Sequence, residues 1–134
     1  MEFKSQICTN REQSNRLQEL GLKPETADMR LIPYSEFSVP MKYNDGFFYD
    51  DKDYTPAWSL HRLIELCPEY INIDGYADTT YWFKLYKLDN KIIYENDYDR
   101  WLYLGDGDTL FDTLIDCIEW LINNKHFNHE FLNK

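Results

Sequence analysis

Residues 106–126, DGDTLFDTLIDCIEWLINNKH, decide the fold. Leu110, Phe111, Leu114, Cys117, Ile118, Leu121 and Ile122 recur at spacings of three and four, which gathers them into one broad apolar stripe on a helix. Asp112, Asp116 and Glu119 fall on the opposite side. Asp106 and Asp108 stand where the positive end of the helix dipole welcomes acids, and Lys125 and His126 stand where its negative end welcomes bases. The pattern predicts a helix over residues 108–124 whose stripe covers one face of a sheet.

That sheet is read from the residues upstream. Residues 70–74 form a candidate strand, followed by a turn at Gly75. Residues 79–88 are rich in aromatic and β-branched side chains, Asp89-Asn90 suits a two-residue hairpin loop, and residues 91–95 and 100–104 continue the strand pattern. Connections this short join antiparallel strands. A second helix is expected to start at Thr55 as N-cap with Pro56 in its first turn and to end at Pro68, with Trp58, Leu60, Leu63, Ile64 and Cys67 at helical spacing. Residues 30–55 read as irregular with one or two short strands, and Asn44-Asp45-Gly46 could close a hairpin between residues 38–43 and 47–50. The first helix is bracketed by a capping box from Thr9 to Glu12 and by Gly21, after which Leu22 folds back on Leu17 and Pro24 blocks continuation. Residues 24–29 suit one further turn. The expectation is a single α+β domain over residues 1–134, with three main helices packed on an antiparallel sheet of three to four strands and the C-terminal helix central. Leu114, Ile118, Leu121, Phe83, Leu85, Leu63 and Ile64 are expected in the core.

Composition narrows the function classes. The chain has 134 residues, which suits one domain able to bury a core without disulfides or metal. Lys+Arg number 14 and Asp+Glu 24, a net charge of −10. A field of that sign disfavours a nucleic-acid surface or an anionic membrane as partner. No stretch approaches the roughly 20 apolar residues of a membrane helix, and the start MEFKSQICTN lacks an apolar signal core. Cys8, Cys67 and Cys117 are odd in number and far apart, so neither a disulfide framework nor a zinc motif is signalled. Reduced, buried thiols in a cytoplasm are expected.

The acids are clustered. Between residues 44 and 54, Asp45, Asp50, Asp51 and Asp53 face only Lys52; between 89 and 108, Asp89, Glu95, Asp97, Asp99, Asp106 and Asp108 face Lys91 and Arg100. Aromatics interleave both segments. One reading is a pair of solvated loops that keep the protein soluble. The other is a surface for a basic protein partner, in which Tyr and Trp supply contact area and carboxylates supply steering. On the second reading the candidate contact residues are Asp45, Tyr49, Asp50, Asp51, Asp53, Tyr54, Asp97, Tyr98, Asp99 and Trp101.

Local catalytic and metal motifs are weak. Asp106, Asp108 and Asp112 lack the Gly and bidentate Glu of a calcium loop and suit helix capping instead. His126 and His129 have an i, i+3 spacing with Glu130 beside them but no further ligands nearby, and His61 stands alone. Asp50-Asp51-Lys52 contains the short D-x-K of many nucleases, a match too brief to specify one in so acidic a chain. No phosphate-binding glycine loop, nucleophile elbow or zinc-protease helix is present, so no catalytic residue or cofactor is assigned.

Three stretches carry a resemblance: RLQELGLKPETADM at 16–29, PAWSL at 56–60 with IEL at 64–66, and IEWLINNK at 118–125. They resemble an uncharacterised family of small acidic proteins encoded in bacterial prophages and mobile elements. The resemblance implies an accessory role in a bacterial or phage-infected cytoplasm and carries over no functional residue. The leading expectation is therefore a non-enzymatic accessory protein that binds a protein partner through its acidic, aromatic surface. The alternatives are a small enzyme or metal-binding protein with a site of scattered carboxylates and histidines, and a homodimer whose aromatic surface pairs with itself.

Overall fold

In a computed structural model that describes residues 1, 5–41, 49–76 and 79–133, the chain has an α+β fold with three α-helices and two antiparallel sheets. Its residues gather into two compact units, one of Met1–Leu63 with His129–Lys134 and one of Ile64–Asn128, and each is taken in turn.

The first unit opens with helix α1, Arg11–Glu19. Asn10, not Thr9, is the N-cap: its side chain accepts from the Gln13 N–H at 2.8 Å and Gln13 Oε1 accepts from the Asn10 N–H at 3.1 Å. The box expected one residue earlier is displaced because Thr9 is drawn inward. Its fully buried hydroxyl accepts from the Trp58 N–H at 3.1 Å and lies 2.7 Å from the Ser14 hydroxyl. The other end follows expectation. Gly21 adopts φ +100°, its N–H reaches the Gln18 carbonyl at 2.9 Å, and the Leu22 N–H reaches the Leu17 carbonyl at 3.1 Å. Leu17 and Leu22 are both fully buried.

Strands β1 (Met29–Leu31), β2 (Ser38–Pro40) and β3 (Thr55–Ala57) form a sheet in the order β2-β1-β3. β3 corrects the expected helix start. Pro56 would suit a first helical turn, but it also suits an edge strand, whose outer N–H needs no partner. There it lies opposite Arg30. Helix α2, Leu60–Leu66, begins four residues later than expected, with the Ser59 hydroxyl accepting from the Arg62 N–H at 3.1 Å. Asp28 anchors that cap by accepting from the Ser59 N–H at 2.8 Å and from its hydroxyl. The hairpin expected around Asn44-Asp45-Gly46 lies outside the described residues. The segment after residue 128 returns to the first unit: the Lys23 N–H donates to the Phe131 carbonyl at 2.8 Å and the Asn133 N–H to the Gly21 carbonyl at 2.7 Å.

The second unit is a four-stranded sheet in the order β4-β5-β6-β7, made of β4 (Tyr70–Asn72), β5 (Thr80–Tyr86), β6 (Lys91–Glu95) and β7 (Trp101–Gly105). All its pairings are antiparallel. The β5–β6 connection is four residues long, because Tyr86 pairs with Lys91 and Asp89 and Asn90 take positive φ. Helix α3, Leu110–Asn123, lies on β6 and β7. Thr109 caps it, accepting from the Asp112 N–H at 3.2 Å, so Asp106 and Asp108 belong to the preceding loop and do not cap. Leu114, Ile118, Leu121 and Leu63 are fully buried as expected. Ile64 and Phe83 are half-buried, and Leu85 is 37% exposed. The reason for Leu85 is placement: it shares the covered face with Ile92, but it lies at the end of its strand, beside the β5–β6 connection.

α3 closes with the same hydrogen bonds as α1, Lys125 N–H to the Ile122 carbonyl and His126 N–H to the Leu121 carbonyl. Here Lys125, at φ 62°, occupies the left-handed position that Gly21 fills in α1. Relief of about 1–2 kcal/mol of steric cost, set against about 0.4–1 kcal/mol of added unfolded-state entropy, gives Lys125→Gly an expected net gain of about 0.5–1 kcal/mol. A melting temperature unchanged or lowered in a thermal scan would contradict this account of the cap.

Candidate protein-binding surface

A strand turns alternate side chains to opposite faces, so the pairing register assigns the two faces of the second unit's sheet. Ile71, Phe83, Ile92, Tyr94 and Tyr103 share the face under α3, where Trp120 lies 4.8 Å from the Tyr103 ring and 6.4 Å from the Tyr94 ring between centroids. On the reverse face, Tyr70, Trp82, Glu95 and Trp101 are successive partners across all four strands. Tyr70 is 53%, Trp82 39% and Trp101 58% exposed. The Tyr70 and Trp82 rings lie 5.4 Å apart. Tyr86 and Leu104 extend the exposed apolar area, with the Lys91 ammonium 4.8 Å above the Tyr86 ring. Lys84 bonds Glu95 at 3.1 Å on this face, and that bond raises the lysine's pKa.

The turn between β6 and β7 is held from below. Asn96 is buried, and its side-chain oxygen accepts from the N–H groups of Tyr98 and Arg100, each at 3.0 Å. The Asn96 N–H donates to the Arg100 carbonyl at 2.8 Å. Asp99 takes φ 59°, which a short polar side chain tolerates. With the backbone satisfied inward, Asp97, Tyr98, Asp99 and Arg100 all stand exposed. Asp106 and Asp108 are exposed beyond the other end of β7. This segment therefore brings four expected contact residues, Asp97, Tyr98, Asp99 and Trp101, onto one turn and the strand that leaves it.

The earlier acidic segment belongs to the first unit. Asp51–Asp53 form a single 3-10 turn, and Asp50, Asp51 and Asp53 are exposed. Tyr54 is buried and so offers no contact area. It serves instead as a floor for the Arg30 guanidinium, 3.8 Å above its ring, which also bonds Asp51 at 3.1 Å. Tyr49 packs edge-on against Tyr54 at 6.2 Å and is 38% exposed. Asp45 lies outside the described residues.

The thiols and histidines are placed differently. Cys8, Cys67 and Cys117 are free and buried. The Cys117 thiol is held far above its ordinary range by a hydrogen bond with Cys67 and by burial, and burial raises Cys8 as well. Thiols held protonated are poor nucleophiles. Cys8 lines a cleft of about 600 Å³ with Arg11 and residues 35–38. The Arg11 guanidinium there already bonds the Thr55 hydroxyl at 2.6 Å and the Ser35 carbonyl at 2.8 Å. His126 packs on Trp120 at 5.5 Å, and burial lowers its pKa. His61 is exposed on α2, and His129 sits in the terminal 3-10 turn. Among the described residues no group of three or more His, Cys, Asp or Glu is placed to hold a metal ion. No helix among them is long and apolar enough to cross a membrane.

Sequence reasoning missed Tyr70, Trp82, Tyr86 and Leu104. The signal was the alternation along residues 80–86, which places Trp82 and Tyr86 on one face and Tyr81, Phe83 and Leu85 on the other. No family model, curated protein or solved structure matches the chain.

Proposed function

We propose that this chain is a non-enzymatic accessory protein, of the prophage or mobile-element kind its sequence resembles, that binds a basic protein in the bacterial cytoplasm through an acidic, aromatic surface. The observation that carries the reading is the row Tyr70–Trp82–Glu95–Trp101, whose three aromatics are exposed, bordered by Asp97 and Asp99 on a turn pinned by Asn96. Tyr and Trp give a partner large contact area at low conformational cost. A Lys or Arg side chain can lie over an exposed indole, and the carboxylates beside it raise the encounter rate with a cationic partner.

The test is affinity capture from the host at low and high salt, with Asp97→Asn/Asp99→Asn and Asp50→Asn/Asp53→Asn as separate double variants. All four residues are exposed, so both variants should fold as the wild type does. The first variant is expected to lose about tenfold in association rate with the captured partner at low salt, and little at 1 M salt, where screening falls to about 3 Å. Loss in the second variant alone would move the surface to the first unit. Equal capture by all proteins at both salts would overturn the reading.

A further inference from the structure

We infer that the outer edge of β7 is the docking line, and that the partner contributes an extended segment with Lys or Arg at both ends, added to the sheet as a fifth strand. The inference rests on the reading of an acidic partner surface and specifies how that surface is used.

Edge strands offer unpaired N–H and C=O groups to any passing strand, and proteins usually blunt them with proline, lysine, shortness or cover. Among the described residues, three of the four sheet edges are blunted in that way. β2 ends in Pro40, β3 carries Pro56, and β4 is three residues long with Pro68 just ahead of it. β7 differs. Its five residues, Trp-Leu-Tyr-Leu-Gly, include neither proline nor lysine. It pairs with β6 on one side, and no strand among the described residues pairs with it on the other. A register shift opposite Tyr94 and Glu95 marks its start, and from Tyr103 to Gly105 the ladder is regular.

Charge selects the occupant. Asp97 and Asp99 precede the strand and Asp106 and Asp108 follow it, all exposed, with Arg100 the one base between them. A five-residue strand spans about 17 Å, so a segment laid along it brings its two ends to the two acidic pairs. Bases at both ends are complementary. A second copy of this chain is not: antiparallel β7–β7 pairing would set Asp97 and Asp99 of each copy beside Asp106 and Asp108 of the other. Exposed Trp101 and Leu104, which share a face through their partners Glu95 and Ile93, continue the docking line onto the aromatic row.

The test uses the full chain, labelled with ¹⁵N, and a synthetic peptide of alternating threonine and valine with arginine and lysine at both ends. Two further peptides carry backbone N-methyl groups on alternate residues, one in each phase. Edge pairing predicts that one phase abolishes binding and the other preserves it, because only one set of N–H groups faces β7. It also predicts that amides within 101–105 gain hydrogen-exchange protection on binding. Asp97→Asn, Asp99→Asn, Asp106→Asn and Asp108→Asn combined should weaken peptide binding about tenfold at low salt. Binding that is salt-sensitive but indifferent to both N-methyl phases, with no new protection in 101–105, would overturn edge pairing and leave the acidic-surface reading standing. No binding at millimolar peptide would overturn the edge inference, while the capture experiment decides the broader reading separately. Protection of 101–105 in a peptide-free dimer would replace the basic partner with a second copy.

Discussion

Replacing Trp58 with alanine is expected to cost about 3–5 kcal/mol. Trp58 is fully buried in the first unit, and its indole N–H donates to the Thr26 hydroxyl at 2.9 Å. Its backbone is tied on both sides to Thr9, whose N–H reaches the Trp58 carbonyl at 2.9 Å and whose hydroxyl accepts from the Trp58 N–H. Alanine keeps the backbone bonds and removes the indole, so the loss is mostly a cavity. Phenylalanine fills most of that space and gives up the indole donor, for an expected cost of about 1–2 kcal/mol. Domains of this kind are stable by about 5–15 kcal/mol, so the alanine variant should show a large fall in urea midpoint. A shift equivalent to less than 1 kcal/mol would mean that the indole is not packed as described.

Tyr94→Ala is expected to cost a similar amount, about 3–5 kcal/mol by comparison with other buried aromatics. Tyr94 is fully buried on β6, an inner strand of the second unit. Its ring meets Phe83 edge-on at 5.6 Å and stacks with Trp120 at 6.4 Å. Its hydroxyl donates to the Pro68 carbonyl at 2.7 Å, and burial keeps that hydroxyl protonated by pushing its pKa well up. Tyr94→Phe separates the two contributions. It leaves the packing and removes one donor, for an expected loss of about 1–3 kcal/mol. Denaturation of both variants, followed by near-ultraviolet dichroism, checks the division. Equal losses would assign the whole effect to the hydroxyl.

The sequence was most legible where one local pattern had one physical solution. The apolar stripe of residues 110–122 could bury itself only as a helix, and Gly21 followed by Leu22 and Pro24 left α1 only one way to end. It was least legible where a residue suits two structures. Thr9 and Asn10 are both good caps, each with a Glu or Gln three residues on, and the choice fell to tertiary contacts of Thr9 with Trp58 and Ser14. Pro56 suits a helix start and an edge strand alike, and pairing with β1 decided it. The candidate surface was visible only in part. Asp97, Tyr98, Asp99 and Trp101 stood out as acids among aromatics, but the exposed face of β5 did not. Alternation along residues 80–86 sorts the side chains into two faces, but Trp82 and Tyr86 on one are as aromatic as Tyr81 and Phe83 on the other, so it does not show which face is outside. Asn96 gave no signal at all, because its role depends on N–H groups brought to it by the turn.

The return of the chain to its first unit sets an order of assembly during translation. Residues 129–133 supply the Phe131 carbonyl for Lys23 and the Asn133 N–H for Gly21, and the ribosome makes them after all of residues 64–128. At roughly 5–20 residues per second, the early segment waits several seconds for these bonds while the β4–β7 meander and α3 are already emerging. The later-made unit therefore has its whole sequence available before the earlier one does, and a nascent chain stalled near residue 128 would carry a first unit without its closing strap.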